Sequence, residues 1–237
     1  MSERRPIIAI DGPAGAGKST VAKHLAVHFS LLNLETGAMY RAFALKALRN
    51  AVVLENAAAL QKLASTTAIR LEPARGGNRV LLDEVDVTGE IRDVDVTQAA
   101  SRVSVHPAIR SWMVDLQREM GRAGGVVMEG RDIGTVVFPD ADLKFFLDAS
   151  PEARSQRRYE QAGTAVVVTP EAISKELRER DERDRNRAES PLRPAPDAVV
   201  IDSTGLSLDE VLSRIEEIVI ERLTTEGLVR GSVPSAL

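Results

Sequence analysis

Ile7-Ile8-Ala9-Ile10-Asp11-Gly12-Pro13-Ala14-Gly15-Ala16-Gly17-Lys18-Ser19-Thr20 is the stretch that decides the fold. Its short isoleucine-rich run predicts a strand buried on both faces. Helical patterning begins at Val21-Ala22-Lys23-His24-Leu25-Ala26-Val27, so Gly12-x-x-x-x-Gly17-Lys18-Ser19 lies at a strand-to-helix junction. That is the context a phosphate-binding loop requires. Gly12, Gly15 and Gly17 let the backbone turn tightly and approach a ligand with no side chain between. The loop N–H groups and the positive end of the helix dipole form a concave polyphosphate site. Lys18 can reach the β- and γ-phosphates, and the Ser19 hydroxyl suits a Mg²⁺ ligand. A glycine-rich turn that merely packs well is the alternative. Strand, loop, lysine and helix in this order imply a nucleoside triphosphate site spanning Gly12 to Thr20.

The 237 residues suffice for one α/β domain with insertions. With 31 basic and 35 acidic side chains the formal charge is −4, which gives no global attraction to nucleic acid or anionic membranes. The absence of cysteine excludes disulfides, thiolate metal sites and cysteine nucleophiles. His24, His28 and His106 read as scattered, without metal-ligand spacing to a carboxylate. No run approaches the ~20 apolar residues of a membrane helix. Met1-Ser2-Glu3-Arg4-Arg5 leads directly into the first strand, so no signal peptide is expected and the expected location is the cytosol.

Along the chain, Leu31–Leu34 is a strand candidate, and Thr36 is placed to cap a helix over Ala38–Leu48. Thr36 and Arg41 then lie near the carboxyl end of that strand, where open α/β sheets bind ligands. Between Asn50 and His106 the rhythm changes. A helix over Glu55–Leu63 precedes two β runs, Ala68–Glu72 and Arg79–Leu82, about a turn at Gly76-Gly77-Asn78, with Val85–Val87 as a further short strand. This reads as an inserted antiparallel hairpin. Helices over Val94–Val105, carrying Ser101, and Ala108–Gly121, opened by Pro107 and carrying Arg110, follow.

Val126-Val127-Met128 is a buried strand running into Glu129-Gly130-Arg131-Asp132-Ile133-Gly134. Charges at such a strand end are costly without partners, and an acid there is expected to help hold Mg²⁺. Glu129 is the candidate, acting through a water; a tight turn with a local Arg–Asp pair is the alternative. Leu143–Leu147 is the next strand. Glu152–Gln161 is a helix bearing Arg154, Arg157 and Arg158. After a loop around Gly163–Thr169, the charged helix Glu171–Arg187 places Arg180, Asp184 and Arg187 on one face. Such a helix is usually solvated, but guanidinium forks match phosphate geometry, and two arginine helices about a loop suit a lid. Ala198–Asp202 is the last strand and Ser207–Leu223 the last helix. The alternation predicts a five-stranded parallel sheet wrapped by helices.

Ile-Asp-Gly-Pro-Ala-Gly-Ala-Gly-Lys-Ser-Thr, Thr-Gly-Ala-Met-Tyr-Arg, Gly-Arg-Asp-Ile-Gly-Thr-Val-Val-Phe-Pro-Asp-Ala and Arg-Asp-Arg-Asn-Arg occur here in that order. Together, over about Ile7 to Leu223, they resemble the bacterial cytidylate kinases, a family of nucleoside monophosphate kinases. The resemblance implies a single P-loop kinase unit, an α/β fold with core segments 6–36, 107–150 and 188–223. A monophosphate-binding insert would span 37–106, a lid 151–187 and a frayed tail 224–237. It implies ATP-dependent phosphorylation of CMP and dCMP, with Mg²⁺ as cofactor, no nucleic-acid or membrane partner, and a monomer. Thr36, Arg41, Arg131 and Arg187 would hold the acceptor's phosphate, and Ser101, Arg110 and Asp132 would line the cytosine pocket. Asp184 would contact the sugar and Arg180 would bridge to the transferred phosphoryl. Arg157 and Arg158 would cover ATP. Catalysis would fall to Lys18, Arg131, Arg180 and Arg187, and the metal to Ser19 and Glu129. Glu35 departs from the Asp that many family members carry. A uridylate, adenylate or shikimate kinase is the nearest alternative. A GTPase-type switch lacks its guanine-reading motif here, and a nucleic-acid module is opposed by interleaved acids and few aromatics.

Overall fold

A computed structural model of the chain describes residues 5–74, 77–162, 169–225 and 227. In β1 (Ile7–Asp11), Ile8 and Ile10 join one apolar cluster and Ala9 another, the period-two alternation of a strand covered on both faces. β1 is the centre of a parallel sheet ordered β2-β6-β1-β7-β8, with β2 Leu32–Glu35, β6 Val126–Gly130, β7 Leu143–Asp148 and β8 Val199–Asp202. On one face, Ile8, Ile10, Phe145, Leu147 and Ile201 pack with Leu25 of α1 (Lys18–His28) and with Ile215 and Val219 of α8 (Leu208–Thr225). On the other, Ala9, Leu34 and Met128 meet Val114 of α5 (Pro107–Gly121) and Ile133 and Val137 of a short π-turn. Fully burying each large apolar side chain contributes about 1.5–3 kcal/mol, so the sheet's carboxyl edge is anchored from both sides. From β1 the chain winds to β2 and β6, then crosses to β7 and β8. This reversal opens a crevice at the carboxyl end of β1, where open α/β sheets take ligands.

Between β2 and β6 lie α2 (Thr36–Arg49), α3 (Ala57–Ala64), β3 (Ile69–Ala74), β4 (Gly77–Leu82), β5 (Val85–Asp86) and α4 (Val94–Val103). The three strands form a separate antiparallel sheet. Met39, Phe43, Leu60, Val103 and Met113 make a core of their own for this region. The lid candidates are α6 (Pro151–Ala162) and α7 (Pro170–Asn186).

Several sequence expectations shift. Hairpin pairing continues to Ala74↔Gly77, so Gly77 and Asn78 belong to β4 rather than to a turn, and residue 76 lies outside the described residues. Asn78 clips the hairpin to β2: its Nδ2 donates to the Asn33 carbonyl (2.7 Å), and its Oδ1 accepts the Glu35 N–H (3.2 Å). The helix expected from Glu55 starts at Ala57, because Asn56 Oδ1 accepts the Ala59 N–H at 3.0 Å. α2 begins at Thr36 itself, so Thr36 is no cap; its hydroxyl is spent across the sheet edge, as shown below. Arg187, expected within the charged helix, follows it in extended backbone with ψ 142°. β5 stops at Asp86, and α8 runs on through Thr225, so Thr224 belongs to that helix and not to a tail. The loop 163–168, residues 1–4 and the tail from 228 lie outside the described residues. His24 and His28, read as scattered, stand one turn apart on α1 and both meet Glu216 of α8, a carboxylate brought close only by helix packing. No described helix is long and apolar enough to cross a membrane.

Candidate active site

The loop after β1 is shaped by backbone. Gly12 has φ 147°, and a Cβ there would stand 2.0 Å from the Leu147 carbonyl oxygen of β7, so only glycine fits. Gly17, left-handed with φ 96°, turns the chain into α1. Lys18 Nζ donates to the Pro13 carbonyl at 2.6 Å, which folds the ammonium back into the loop. Burial first, then the nearby Arg131 charge, pulls its pKa well below the ordinary lysine value. A buried cation in a ring of N–H donors gains stabilisation when a polyphosphate arrives.

Strand register sets the next layer. Glu35 of β2 is level with Glu129 of β6. Ser19 donates its hydroxyl hydrogen to Glu129 Oε2 at 2.9 Å, while Glu129 Oε1 is buried without a hydrogen-bond partner among the described residues. Burial and then the Glu35 charge push Glu129 up to about 7, against the opposing pull of Lys18 and Ser19. An orphaned buried carboxylate oxygen beside a hydroxyl is a donor set that fits a hard divalent cation. The Thr36 hydroxyl donates to the Glu129 carbonyl at 2.7 Å and ties α2 to the end of β6.

Beside this layer lies a small cavity of about 50 Å³ that brings together Thr36, Ser101, Arg110, Arg131, Asp132, Arg180, Asp184 and Arg187, residues drawn from four helices, the turn after β6 and the position just past α7. Arg110 pairs with Asp132, and Arg187 Nη2 stands 3.8 Å from the same carboxylate. Arg131 Nε donates to Asp184 Oδ2 at 2.9 Å, and Arg187 Nη1 is 3.7 Å from Asp184 Oδ1. Burial pushes the Asp184 carboxyl up, but Arg131, Arg180 and Arg187 outweigh it and hold it below the usual range. Arg180 makes no hydrogen bond or ion pair among the described residues; burial and then Arg131 depress its pKa to about 10. Arg110 Nε and Arg187 Nη2 are buried donors without a hydrogen-bond partner among the described residues. Four arginines therefore face two aspartates, a surplus of two positive charges. Arg41 does not line this cavity; it pairs with Glu35.

A second, larger cavity of about 400 Å³ runs from Gly15–Thr20 past Leu147 to Arg157, Arg158, Leu206 and Val211. Arg157 Nη1 donates to Ser203 Oγ at 2.9 Å, so it forms a wall of this cavity. Arg158 stands 3.6 Å from Glu176 of α7.

Four site residues escaped the sequence reading. Asp11 is fully buried and accepts the N–H groups of Ile133 (2.8 Å) and Gly134 (2.7 Å), fixing the turn that carries Arg131 and Asp132. Burial nevertheless raises it to about 6. Its position directly before Gly12 was a usable signal. Tyr40 lines the small cavity with the Arg110 guanidinium 5.9 Å from its ring centre, and burial pushes its hydroxyl to about 12. Arg154, fully buried, donates to the Ala14 carbonyl (3.0 Å) and to Asp181 (2.5 Å), linking α6, α7 and the phosphate loop. Arg183 Nε donates to Ser101 Oγ at 3.1 Å. Nothing in the local sequence distinguishes these two arginines from their solvated neighbours.

The family model for cytidylate kinase matches residues 8–221. A cytidylate kinase from Desulforamulus reducens is 53% identical over 216 residues, covering 91% of this chain and 96% of that protein. One from Pelotomaculum thermopropionicum is 51% identical over 212 residues, covering 89% and 94%. Among solved structures, an uncharacterized protein from Eubacterium ventriosum shares the fold with a TM-score of 0.51 at 16% identity, over 91% of this chain and 98% of that one. A phosphate loop, a carboxylate–hydroxyl pair and an arginine-rich pocket on one sheet edge, joined to these similarities along nearly the whole chain, place it in the cytidylate kinase family.

Proposed function

We propose that this kinase transfers the γ-phosphoryl group of ATP to CMP and dCMP through the two adjoining cavities. The carrying observation is the pocket's surplus of two positive charges beside the phosphate loop. A nucleoside monophosphate brings about that much negative charge, with oxygens that guanidinium forks bind bidentately. In this reading the residues Gly12 to Thr20 cradle the ATP phosphates. The larger cavity, with Leu147, Leu206 and Val211, takes the nucleoside, and Arg157 and Arg158 cover it. Thr36, Arg131 and Arg187 grip the acceptor phosphate, with Arg41 swinging from Glu35 to join them. Asp184 contacts the sugar.

Asp132 and Ser101 present acceptors to the cytosine amino group. Uracil would set a carbonyl against them, a mismatch that polar sites reject strongly. Ser19 and Glu129 hold the divalent cation, for which we assign Mg²⁺; when bound it neutralises phosphate charge. The transition state is loose, so Lys18, Arg131, Arg180 and Arg187 act by positioning and charge stabilisation. The segment 151–187 serves as a lid that excludes water, 37–106 as the monophosphate-binding insert, and the remainder as the core of one P-loop kinase unit. Arg154 is the hinge pin that couples that lid to the loop.

ADP release with ATP, Mg²⁺ and a panel of CMP, dCMP, UMP, AMP, GMP and shikimate tests the reading. Fast release is expected with CMP and dCMP alone. Comparable rates with UMP would remove Asp132 from base selection, and release that ignores every acceptor would overturn the proposal.

A further inference from the structure

We propose that His24, His28 and Glu216 form a binding site for a divalent transition-metal ion of the zinc type, which cross-links the phosphate-loop helix α1 to the C-terminal helix α8. The two histidines are four residues apart on α1 and therefore share one face. His24 Nε2 lies 3.3 Å from Glu216 Oε2, and His28 Nδ1 lies 2.7 Å from Glu216 Oε1. All three donor atoms fall within 4.8 Å of one another. An ion with bonds of about 2.1 Å holds tetrahedral ligands roughly 3.4 Å apart, so small side-chain rotations complete the set without moving either helix.

The scaffold is rigid, because Leu25 of α1 and Ile215 and Val219 of α8 are fully buried in one apolar cluster. The His28 ring is steadied by Phe29, its centre 4.8 Å away. The side chains remain 32%, 25% and 22% exposed, so an ion can enter and keep a coordination position open to solvent. Two imidazole nitrogens and one carboxylate oxygen favour zinc-like ions over Mg²⁺ or Ca²⁺, which take oxygen. The site stands apart from Ser19, roughly 8–14 Å along α1, and no residue of the acceptor pocket belongs to it.

Imidazole NMR during a ZnCl₂ titration, with excess Mg²⁺ present, tests this. The chain has three histidines, and His106 is a built-in control, its ring bonded to the Leu54 carbonyl at 2.7 Å in the insert. One equivalent of zinc should shift the His24 and His28 signals and leave His106 unmoved. At a hundredfold excess over Kd the melting temperature should rise by roughly 5–10 °C. His28→Gln and Glu216→Gln should each weaken binding at least about tenfold, since even outer partners of metal ligands are worth that much, with kcat unchanged. The proposal fails if the trio is only a proton-bridged clasp, in which case zinc moves neither ring. It fails equally if both variants bind zinc as the parent does, or if zinc acts only by displacing Mg²⁺ from the catalytic pair.

Discussion

The phosphate loop and the arginine-rich pocket lie at the carboxyl edge of one sheet, yet they are built on opposite plans. The loop is nine consecutive residues rich in backbone N–H groups, and its one lysine, Lys18, bonds to the loop's own Pro13 carbonyl. The pocket is a set of side chains drawn from across the chain, from Thr36 to Arg187. Its charges are held by one another, Arg110 and Arg187 on Asp132, Arg131 and Arg187 on Asp184. A loop of backbone donors recognises phosphate and little else. A pocket of paired charges can also recognise a base and a sugar, because each pair fixes a donor or acceptor in a chosen direction.

The sharpest way to break this contrast is through Arg180, the pocket arginine without a direct partner among the described residues. Arg180→Ala should lower kcat about 10³-fold, the scale of a transition-state arginine, while ATP affinity measured by titration stays within about twofold, because the loop's donors are untouched. Unchanged turnover would remove Arg180 from the mechanism. Next in size is Asp132→Asn, which leaves Arg110 and Arg187 without their shared charge. Steady-state kinetics should show kcat/KM for CMP falling about 10²-fold with the preference over UMP narrowed. An equal loss for every acceptor would make Asp132 structural only.

Asp11 joins the two regions, since it ends β1 before the loop and holds the turn of the pocket. Asp11→Asn sets an amide donor against one of two backbone donors and should cost about 2 kcal/mol in urea unfolding near neutral pH. The pH dependence carries a definite sign. The folded pKa of about 6 exceeds the ordinary 3.8, so the wild-type protein binds an extra proton on folding between those values and gains stability as pH falls through that window. The variant lacks this gain, so the gap between the two proteins should widen by about 1 kcal/mol from neutral pH to pH 5. A gap that does not change with pH would show that Asp11 is not raised.

How much of this was readable in advance follows the same division. The strands Ile7–Asp11 and Val126–Gly130 announced themselves as short apolar runs, and their ends moved by no more than two residues. The inserted hairpin was legible, but its turn was not, because pairing extends as far as Gly77, and Asn78 is used to clip β2. Thr36 reads as a cap because local sequence offers only its own helix; in the fold its hydroxyl donates to the Glu129 carbonyl, 93 residues away in the chain. The histidine cluster is invisible in the sequence for the same reason, since its carboxylate lies on another helix, with His24 and Glu216 separated by 192 positions.

The sequence by itself determined the phosphate loop, the parallel α/β plan and the family, because these rest on contiguous patterns: hydrophobic periodicity, glycines at fixed offsets, a lysine at a helix start. Tertiary structure alone decided which arginines are paired and which is left with surplus charge. It alone decided that Arg154 rather than an exposed arginine of α6 ties α6 to the loop, and that two helices share a histidine–glutamate cluster. Those outcomes depend on distances between side chains far apart in the chain. Burial then sets their energies, and both quantities exist only after the chain has folded.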